Sequence, residues 1–332
     1  MRGLRMSKFC FFVSCTNNYI PYLNAFLNSL YKRKIKDVID FDVKIISYNM
    51  GSKYIDKLSK FPFNIEVIDV DVEEIRSKTK WGQAYISKCS RYYYLNKLGR
   101  EYDACALMDA DLFLVSQNFS NLFHLVNNTK LMINCNERFK WIFGNRHRVD
   151  NVPIFSEDNK IRKFHCNTPM IIDVNKWSEV IEYYMSIVYR GKEHIVNSED
   201  KKKDIGDIFS WNIAVQKQNR QNDVILLPME VLTQVHQTAY KKWTELINDH
   251  GFWTTFSGEE VMVLHGRCGS AGFGKFNSKK IGTTEEKMEK INDIYKREWY
   301  DLNFNQCLIL SEAIDINKHW ENEMKRLGIK YG

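Results

Sequence analysis

Short apolar runs alternate with longer segments of helical spacing in the first third of the chain. Residues 8–15 are mostly apolar, which is typical of a buried strand, and residues 20–32 place apolar side chains every three or four positions, which predicts an amphipathic helix. Further strands are predicted at 41–46 and 64–70, followed by a helix at 85–98. Strands that alternate with helices predict a mostly parallel sheet whose carboxyl edge binds ligands.

The second half of the chain continues this pattern less regularly. Strands are predicted at 130–134, 164–173 and 261–265, with an amphipathic helix after the second of them. The last residues, 283–332, are charged and carry aromatic side chains at helical spacing. We therefore expect one α/β domain over residues 1–282, with a helical extension at 283–332 packed on it.

Two carboxylates, Asp109 and Asp111, interrupt an apolar run over residues 103–115. In an extended segment residues i and i+2 point to the same side, so the two charges are expected to converge and to require a cation between them. Carboxylate oxygens favour Mg²⁺ or Mn²⁺. The alternative is that the acids cap a turn or the next helix. The apolar flanks favour the metal site, because they place the acids where a buried strand emerges.

Other polar residues are predicted to reach the same crevice. Thr16 and Asn17 follow the first strand, and they either contact a nucleotide or cap the next helix. Lys88 and Arg91 are one turn apart on the helix before the aspartates. They either reach diphosphate oxygens or belong to a solvated helix face.

Two later segments carry further candidate residues. A strand ends at His265 and opens a loop with four glycines, in which Arg267 and Lys275 are basic. A histidine at a strand exit can coordinate a metal, and glycines let backbone N–H groups approach phosphates closely. Asn167 and Thr168 lie in a polar turn from which the chain enters an apolar strand. They either offer hydrogen bonds to a sugar or satisfy the turn backbone.

Composition limits the classes of protein that fit. Of the 332 residues 44% are hydrophobic, enough for a sizeable core, and no apolar stretch is long enough to cross a bilayer. The eight cysteines form no CxxC pair, which predicts reduced core residues and a cytoplasmic protein. The net charge of +7 is spread along the chain, so we expect no nucleic-acid binding. Peripheral association with the inner face of the membrane is an alternative that the composition leaves open.

The order of these motifs resembles that of the GT-A nucleotide-sugar glycosyltransferases, and most closely glycosyltransferase family 8, over most of residues 8–276. The resemblance implies a Rossmann-like, mixed and mostly parallel sheet flanked by helices. It also implies that Asp109, Asp111 and His265 bind Mn²⁺ or Mg²⁺, and that Lys88 or Arg91 aids nucleotide binding. The residues expected to contact the nucleotide are Thr16, Asn17, Lys88, Arg91, Ala110, Gly266, Arg267 and Lys275.

The resemblance also carries over two residues around the sugar. Asn167 matches the sugar-facing position of the family's Phe-Asn-x-Gly stretch. Asp207 is the one residue of the family's Asp-Gln-Asp triplet that is present, because two apolar residues follow it. The glycine-containing loop lacks the family's Pro-Trp, so the choice between Arg267 and Lys275 stays open.

The implied activity is transfer of a sugar from a UDP-sugar to a hydroxyl of a glycan, lipid-linked or protein acceptor, with retention at the anomeric carbon. Three alternatives stay open. An inverting enzyme would use Asp207 as general base. A sugar-phosphate nucleotidyltransferase would need a glycine-rich loop that residues 16–21 lack. A non-catalytic nucleotide-sugar-binding module is opposed by the intact set of predicted metal ligands.

Overall fold

The computed structural model describes residues 7–16, 19–48, 50–59, 61–70, 83–137, 148–149, 152–153, 164–190, 195–196, 207–227 and 262–265. The predictions made for Asn17, Gly266, Arg267, Lys275 and the helical extension at 283–332 lie outside the described residues.

Strands and helices alternate in the first half of the chain, as the hydrophobic pattern predicted. The helices are α1 (Ile20–Lys32), α2 (Ser52–Leu58), α3 (Gln83–Leu98), α4 (Phe119–Asn127), α5 (Ser178–Arg190) and α6 (Asp207–Lys217). The strands are β1 (Phe9–Thr16), β2 (Phe41–Tyr48), β3 (Asn64–Asp69), β4 (Ala104–Asp109), β5 (Leu112–Leu114), β6 (Met132–Glu137), β7 (Arg148–Val149), β8 (Val152–Pro153), β9 (Phe164–Ile172), β10 (Ile195–Val196), β11 (Val224–Leu227) and β12 (Val263–His265).

Seven strands form the central sheet in the order β11-β6-β9-β4-β1-β2-β3. Strand β1 is parallel to β2 and β4, β2 is parallel to β3, and β11 is parallel to β6. Strand β9 is antiparallel to both of its neighbours, β4 and β6. The predicted mixed, mostly parallel sheet is therefore confirmed. Because β9 is reversed, its first residues lie at the carboxyl edge of the other strands.

Helix α1 shows how local sequence determines an element of this fold. Leu23, Phe26, Leu27 and Leu30 are buried, and their spacing of three and four residues forms one apolar face. Pro21 lies in the first turn, where its missing N–H has no partner to lose. The helix covers the predicted range because its apolar period and its start signal agree.

Each side of the sheet carries its own hydrophobic core. Alternate residues of β1 supply the two sides: Phe9, Phe11, Val13 and Cys15 face one cluster, and Cys10 and Phe12 face the other. Helices α1 and α4 pack in the first cluster. In the second, Tyr92 of α3 has its ring centroid 4.2 Å from that of Tyr184 in α5 and 5.2 Å from that of Trp211 in α6. These aromatic contacts hold α3 against α5 and α6 on this side of the sheet.

A polar network lies at the amino edge of the strands. Asp42, near the start of β2, is buried and accepts hydrogen bonds from the Tyr102 hydroxyl (2.6 Å) and the Asn64 amide (3.0 Å). Lys8 Nζ forms an ion pair with the same carboxylate at 2.9 Å. The network is at the edge opposite to the predicted ligand crevice.

Cys10, Cys15 and Cys105 are buried and unbridged, as predicted, and burial raises the pKa of each thiol. Thiols of this kind are chemically inert core residues. Of the helices in the described ranges, none combines the length and the apolar character needed to cross a membrane.

Candidate active site

The aspartate pair lies at the carboxyl edge of the sheet, between two strands. Asp109 is the last residue of β4, Ala110 and Asp111 form a turn, and Leu112 begins β5. The prediction that the acids sit where a buried strand emerges is confirmed. The premise that they belong to one extended segment is wrong, because the chain turns between them. Asp111 is buried (7% exposed), whereas the Asp109 side chain is 38% exposed.

Two side chains hold the Asp109 carboxylate. Arg91 Nη1 donates a hydrogen bond to Oδ1 in an ion pair, and Thr168 Oγ1 donates a hydrogen bond to Oδ2 at 2.7 Å. The sequence argument required a cation near the aspartates, and the structure supplies one from the protein itself. The Arg91 charge therefore offsets that of Asp109 before any metal binds.

Arg91 is fully buried in α3, with 2% of its side chain exposed. The alternative that it belongs to a solvated helix face is therefore wrong. Burial of a guanidinium is costly unless a carboxylate pairs with it, and Asp109 is that partner. The neighbouring Ser90 side chain is hydrogen-bonded to the Tyr48 hydroxyl at the end of β2, which ties α3 to the carboxyl edge.

Thr168 reaches Asp109 through strand pairing rather than from a turn. Leu107 of β4 lies opposite Met170 of β9 in the antiparallel register. Two residues beyond these paired positions on each strand, the side chains of Asp109 and Thr168 meet. The prediction that Asn167 and Thr168 form a polar turn before the strand is wrong, since β9 already begins at Phe164.

The strand that ends at His265 is brought to the aspartate turn. Strands β12 and β5 are antiparallel, with His265 opposite Leu112, the residue after Asp111. The Val115 N–H also donates a hydrogen bond to the Met262 carbonyl at 3.0 Å. The backbones of the three predicted metal ligands are therefore adjacent, although 154 residues separate Asp111 from His265 in the sequence.

Five further predicted site residues fall in the described part of the chain. Thr16 ends β1, two residues after Ser14, which pairs with Asp109. The N-cap of α1 is Tyr19, so the alternative that Thr16 caps this helix is wrong. Ala110 is buried in the turn itself. The other predicted positions are described by their backbone: Lys88 is in α3, one turn before Arg91, Asn167 is in β9 and Asp207 begins α6.

The described side chains contribute two carboxylates to a possible metal site. No group of three or more His, Cys, Asp or Glu side chains in that part of the chain is arranged to hold a metal ion. Both acids offer oxygen ligands, and the Asp109 side chain is 38% exposed beside its contacts with Arg91 and Thr168. Asp109 and Asp111 therefore fit a hard divalent cation that takes its other ligands from elsewhere.

The contacts around Asp109 were not found by sequence reasoning. Arg91 was a candidate for the diphosphate and Thr168 for a sugar, yet both are hydrogen-bonded to Asp109. The sequence does not predict either contact with Asp109, because each contact depends on how elements distant in the sequence pack together.

Comparison with known structures identifies the fold. LgtC, a galactosyltransferase solved with donor and acceptor sugar analogues, matches with a TM-score of 0.53 and 12% identity over 95% of this chain and 99% of its own. The bifunctional glycosyltransferase WbbM matches with a TM-score of 0.52 and 14% identity over 88% of this chain, which spans about half (52%) of WbbM. Mouse xyloside xylosyltransferase 1 matches with a TM-score of 0.50 and 12% identity over 79% of this chain and 98% of its own.

At these identities the likeness concerns the fold alone. No protein-family model matches the sequence, and no curated protein is significantly similar to it in sequence. The mixed seven-stranded sheet, with helices on both sides, agrees with all three structures. The chain therefore has the GT-A fold, which it shares with these glycosyltransferases.

Proposed function

We propose that this protein is a metal-dependent glycosyltransferase that moves a sugar from a UDP-sugar to an acceptor hydroxyl, with retention at the anomeric carbon. The observation that supports this best is the aspartate turn. Asp109 and Asp111 lie at the carboxyl edge of a GT-A sheet, and the strand that carries His265 is paired with the strand directly after them.

In this proposal Asp109, Asp111 and His265 hold Mn²⁺ or Mg²⁺. The cation supplies Lewis-acid stabilisation of the charge that develops on the departing UDP diphosphate. The acids of the turn suit a hard cation because they offer oxygen ligands, and the Asp109 side chain is 38% exposed beside its ion pair with Arg91. Arg91 itself stabilises the Asp109 charge instead of contacting the diphosphate.

The donor is bound around the same edge in this proposal. Thr16, Asn17 and the Ala110 backbone contact the nucleotide. The diphosphate is bound by the basic residues Lys88, Arg267 and Lys275 and by the Gly266 backbone.

The reacting sugar lies near Asn167 and Asp207. Departure of UDP needs no protonated side chain, because the diphosphate is already a good leaving group. In a retaining reaction the departing UDP oxygen takes the proton of the acceptor hydroxyl, while Asp207 orients the sugar. The acceptor is a glycan, a lipid-linked saccharide or a protein.

A donor-hydrolysis panel tests this proposal. Purified protein with Mn²⁺ is incubated with several UDP-sugars in the absence of an acceptor, and UDP release is measured. We expect slow hydrolysis with a preference for one sugar, since water can replace the absent acceptor as the nucleophile. The matched control is Asp111→Asn, which keeps the size of the side chain and removes its charge.

The outcomes of the panel separate catalysis from simple binding. Hydrolysis in the wild type that is lost in Asp111→Asn supports the proposal. UDP binding without release from any donor would favour the non-catalytic module. Hydrolysis that persists in Asp111→Asn would contradict the role of the aspartate turn.

A further inference from the structure

We propose that Thr168 is a positioning residue for Asp109: its hydroxyl fixes the orientation in which this carboxylate would bind the divalent cation. This inference rests on the proposed function and adds a residue to it. The roles that the sequence suggested for Thr168, a sugar contact or a turn residue, did not involve Asp109.

The contact has the geometry of a strong hydrogen bond. Thr168 Oγ1 lies 2.7 Å from Asp109 Oδ2, a distance typical of a hydroxyl that donates to an ionised carboxylate. Thr168 is 4% exposed, so water does not compete freely for its single proton. The hydroxyl has one hydrogen to donate, and giving it to Asp109 leaves none for a sugar.

The position of Thr168 is determined by the sheet. It belongs to β9 and lies two residues from Met170, which pairs with Leu107 of β4. A residue so close to a paired position of the same strand has little freedom to move away from Asp109. Thr168 therefore provides a rigid donor, whereas a residue in a loop would allow the carboxylate to shift with it.

Two donors on different oxygens restrict the rotation of the Asp109 carboxylate. The terminal torsion of an aspartate is broad when nothing holds it. Arg91 binds Oδ1 and Thr168 binds Oδ2, so the plane of the group is fixed and the remaining lone pairs keep one direction. Without the Thr168 hydroxyl, Oδ2 loses the donor that holds its side of this plane. Metal ligands that lose such a supporting hydrogen bond commonly bind their metal about 10 to 100 times more weakly.

A titration of Mn²⁺ in the presence of UDP tests the proposal without turnover. Calorimetry gives the Kd for Mn²⁺ in the wild type and in Thr168→Val, which has nearly the same shape and no hydroxyl. We expect Thr168→Val to raise this Kd by about 10 to 100 times. Thr168→Ser, which restores the hydroxyl, is expected to remain within about threefold of the wild type.

The matched control is Thr129→Val. The Thr129 hydroxyl donates to the Leu125 carbonyl at 2.8 Å, after α4 and just before β6, at the amino edge of the sheet. The same oxygen accepts a hydrogen bond from the Leu131 N–H at 3.2 Å, so the same chemical change there removes two hydrogen bonds far from Asp109. We expect it to lower the melting temperature slightly and to leave the Kd for Mn²⁺ unchanged.

The outcomes distinguish this inference from the proposed function. Wild-type affinity for Mn²⁺ in Thr168→Val, or equal losses in the valine and serine variants, would overturn the positioning role and leave the proposed function standing. A wild-type protein that binds no Mn²⁺ with UDP would overturn both. Thr168→Ala is measured in parallel, so that misfolding of the valine variant does not decide the result.

Discussion

The Arg91 guanidinium and the Asp109 carboxylate form an ion pair with unequal exposure: the arginine side chain is 2% exposed and the aspartate side chain 38%. The buried cation faces an anion that is partly open to the crevice. Because Asp111 adds a second negative charge, the three side chains together carry a net charge of −1. A divalent cation is therefore still attracted to the turn, although Arg91 already reduces the repulsion between the two aspartates.

Replacing Asp109 by alanine is expected to destabilise the protein as well as to abolish sugar transfer. The substitution removes the carboxylate that faces a buried guanidinium, and such losses cost roughly 3 to 5 kcal/mol. We expect about 3 kcal/mol here, because the crevice allows water to approach. Urea denaturation of the wild type and of Asp109→Ala measures this difference in the free energy of unfolding.

The double variant Arg91→Leu/Asp109→Ala is the control. A hydrophobic residue in place of the buried charge is expected to recover most of the lost stability, while transfer stays abolished. If Asp109→Ala were as stable as the wild type, the ion pair would have no role in folding. Removing one of two neighbouring carboxylates relieves their repulsion, but at Asp109 the loss of the partner of a buried guanidinium costs more.

UDP binding is expected to depend on Mn²⁺ or Mg²⁺. A diphosphate that approaches Asp109 and Asp111 meets a net negative charge, which a divalent cation reverses. We expect UDP affinity to fall at least about tenfold when EDTA removes the metal. Calorimetry with and without EDTA measures this change. Equal affinities would mean that basic residues such as Lys88 bind the diphosphate unaided.

His265 is expected to contribute to metal-dependent UDP binding. Its backbone lies opposite Leu112, next to the aspartate turn, and neutral imidazole is a common ligand for divalent metals. His265→Ala should weaken the binding of Mn²⁺ with UDP by at least about tenfold, since a lost ligand costs more than a lost supporting contact. His124→Ala, at an exposed position of α4, is the matched control and should bind like the wild type. Equal binding by the two variants would limit the metal site to the carboxylates.

The elements that the sequence predicted well are those determined by local periodicity. Helix α1 has its predicted bounds, Ile20–Lys32, because four apolar residues at helical spacing and an early proline agree within 13 residues. Strands β1 and β2 begin within one residue of prediction for the same reason: β1 opens with a continuous apolar run, and in β2 apolar residues alternate with Asp42 and Lys44.

The contacts of the site depend instead on the pairing of distant elements. Arg91 is 18 residues from Asp109 in sequence, and Thr168 is 59 residues from it. The first contact requires α3 to pack so that one polar residue of the helix reaches the end of β4. The second requires β9 to run antiparallel in one particular register. Residue types and spacing do not predict that register. The polar residues Asn167 and Thr168 were therefore interpreted as part of a turn.

The amino-edge network predicts how stability depends on pH. Burial alone would raise the pKa of Asp42, but hydrogen bonds from Tyr102, Lys8 and Asn64 outweigh it and hold this pKa below its usual value. The ionised carboxylate therefore stabilises the folded state above the unfolded pKa, near roughly 4, and this contribution is lost as the pH falls through the lower folded pKa. We expect the free energy of unfolding to decrease below about pH 4.

The variant Asp42→Asn tests this prediction. It should be less stable than the wild type at pH 7 and should lose less stability on acidification, because the amide does not titrate. Urea denaturation of both proteins between about pH 3 and 7 measures the two slopes. Parallel curves for the wild type and Asp42→Asn would show that other carboxylates account for the acid sensitivity.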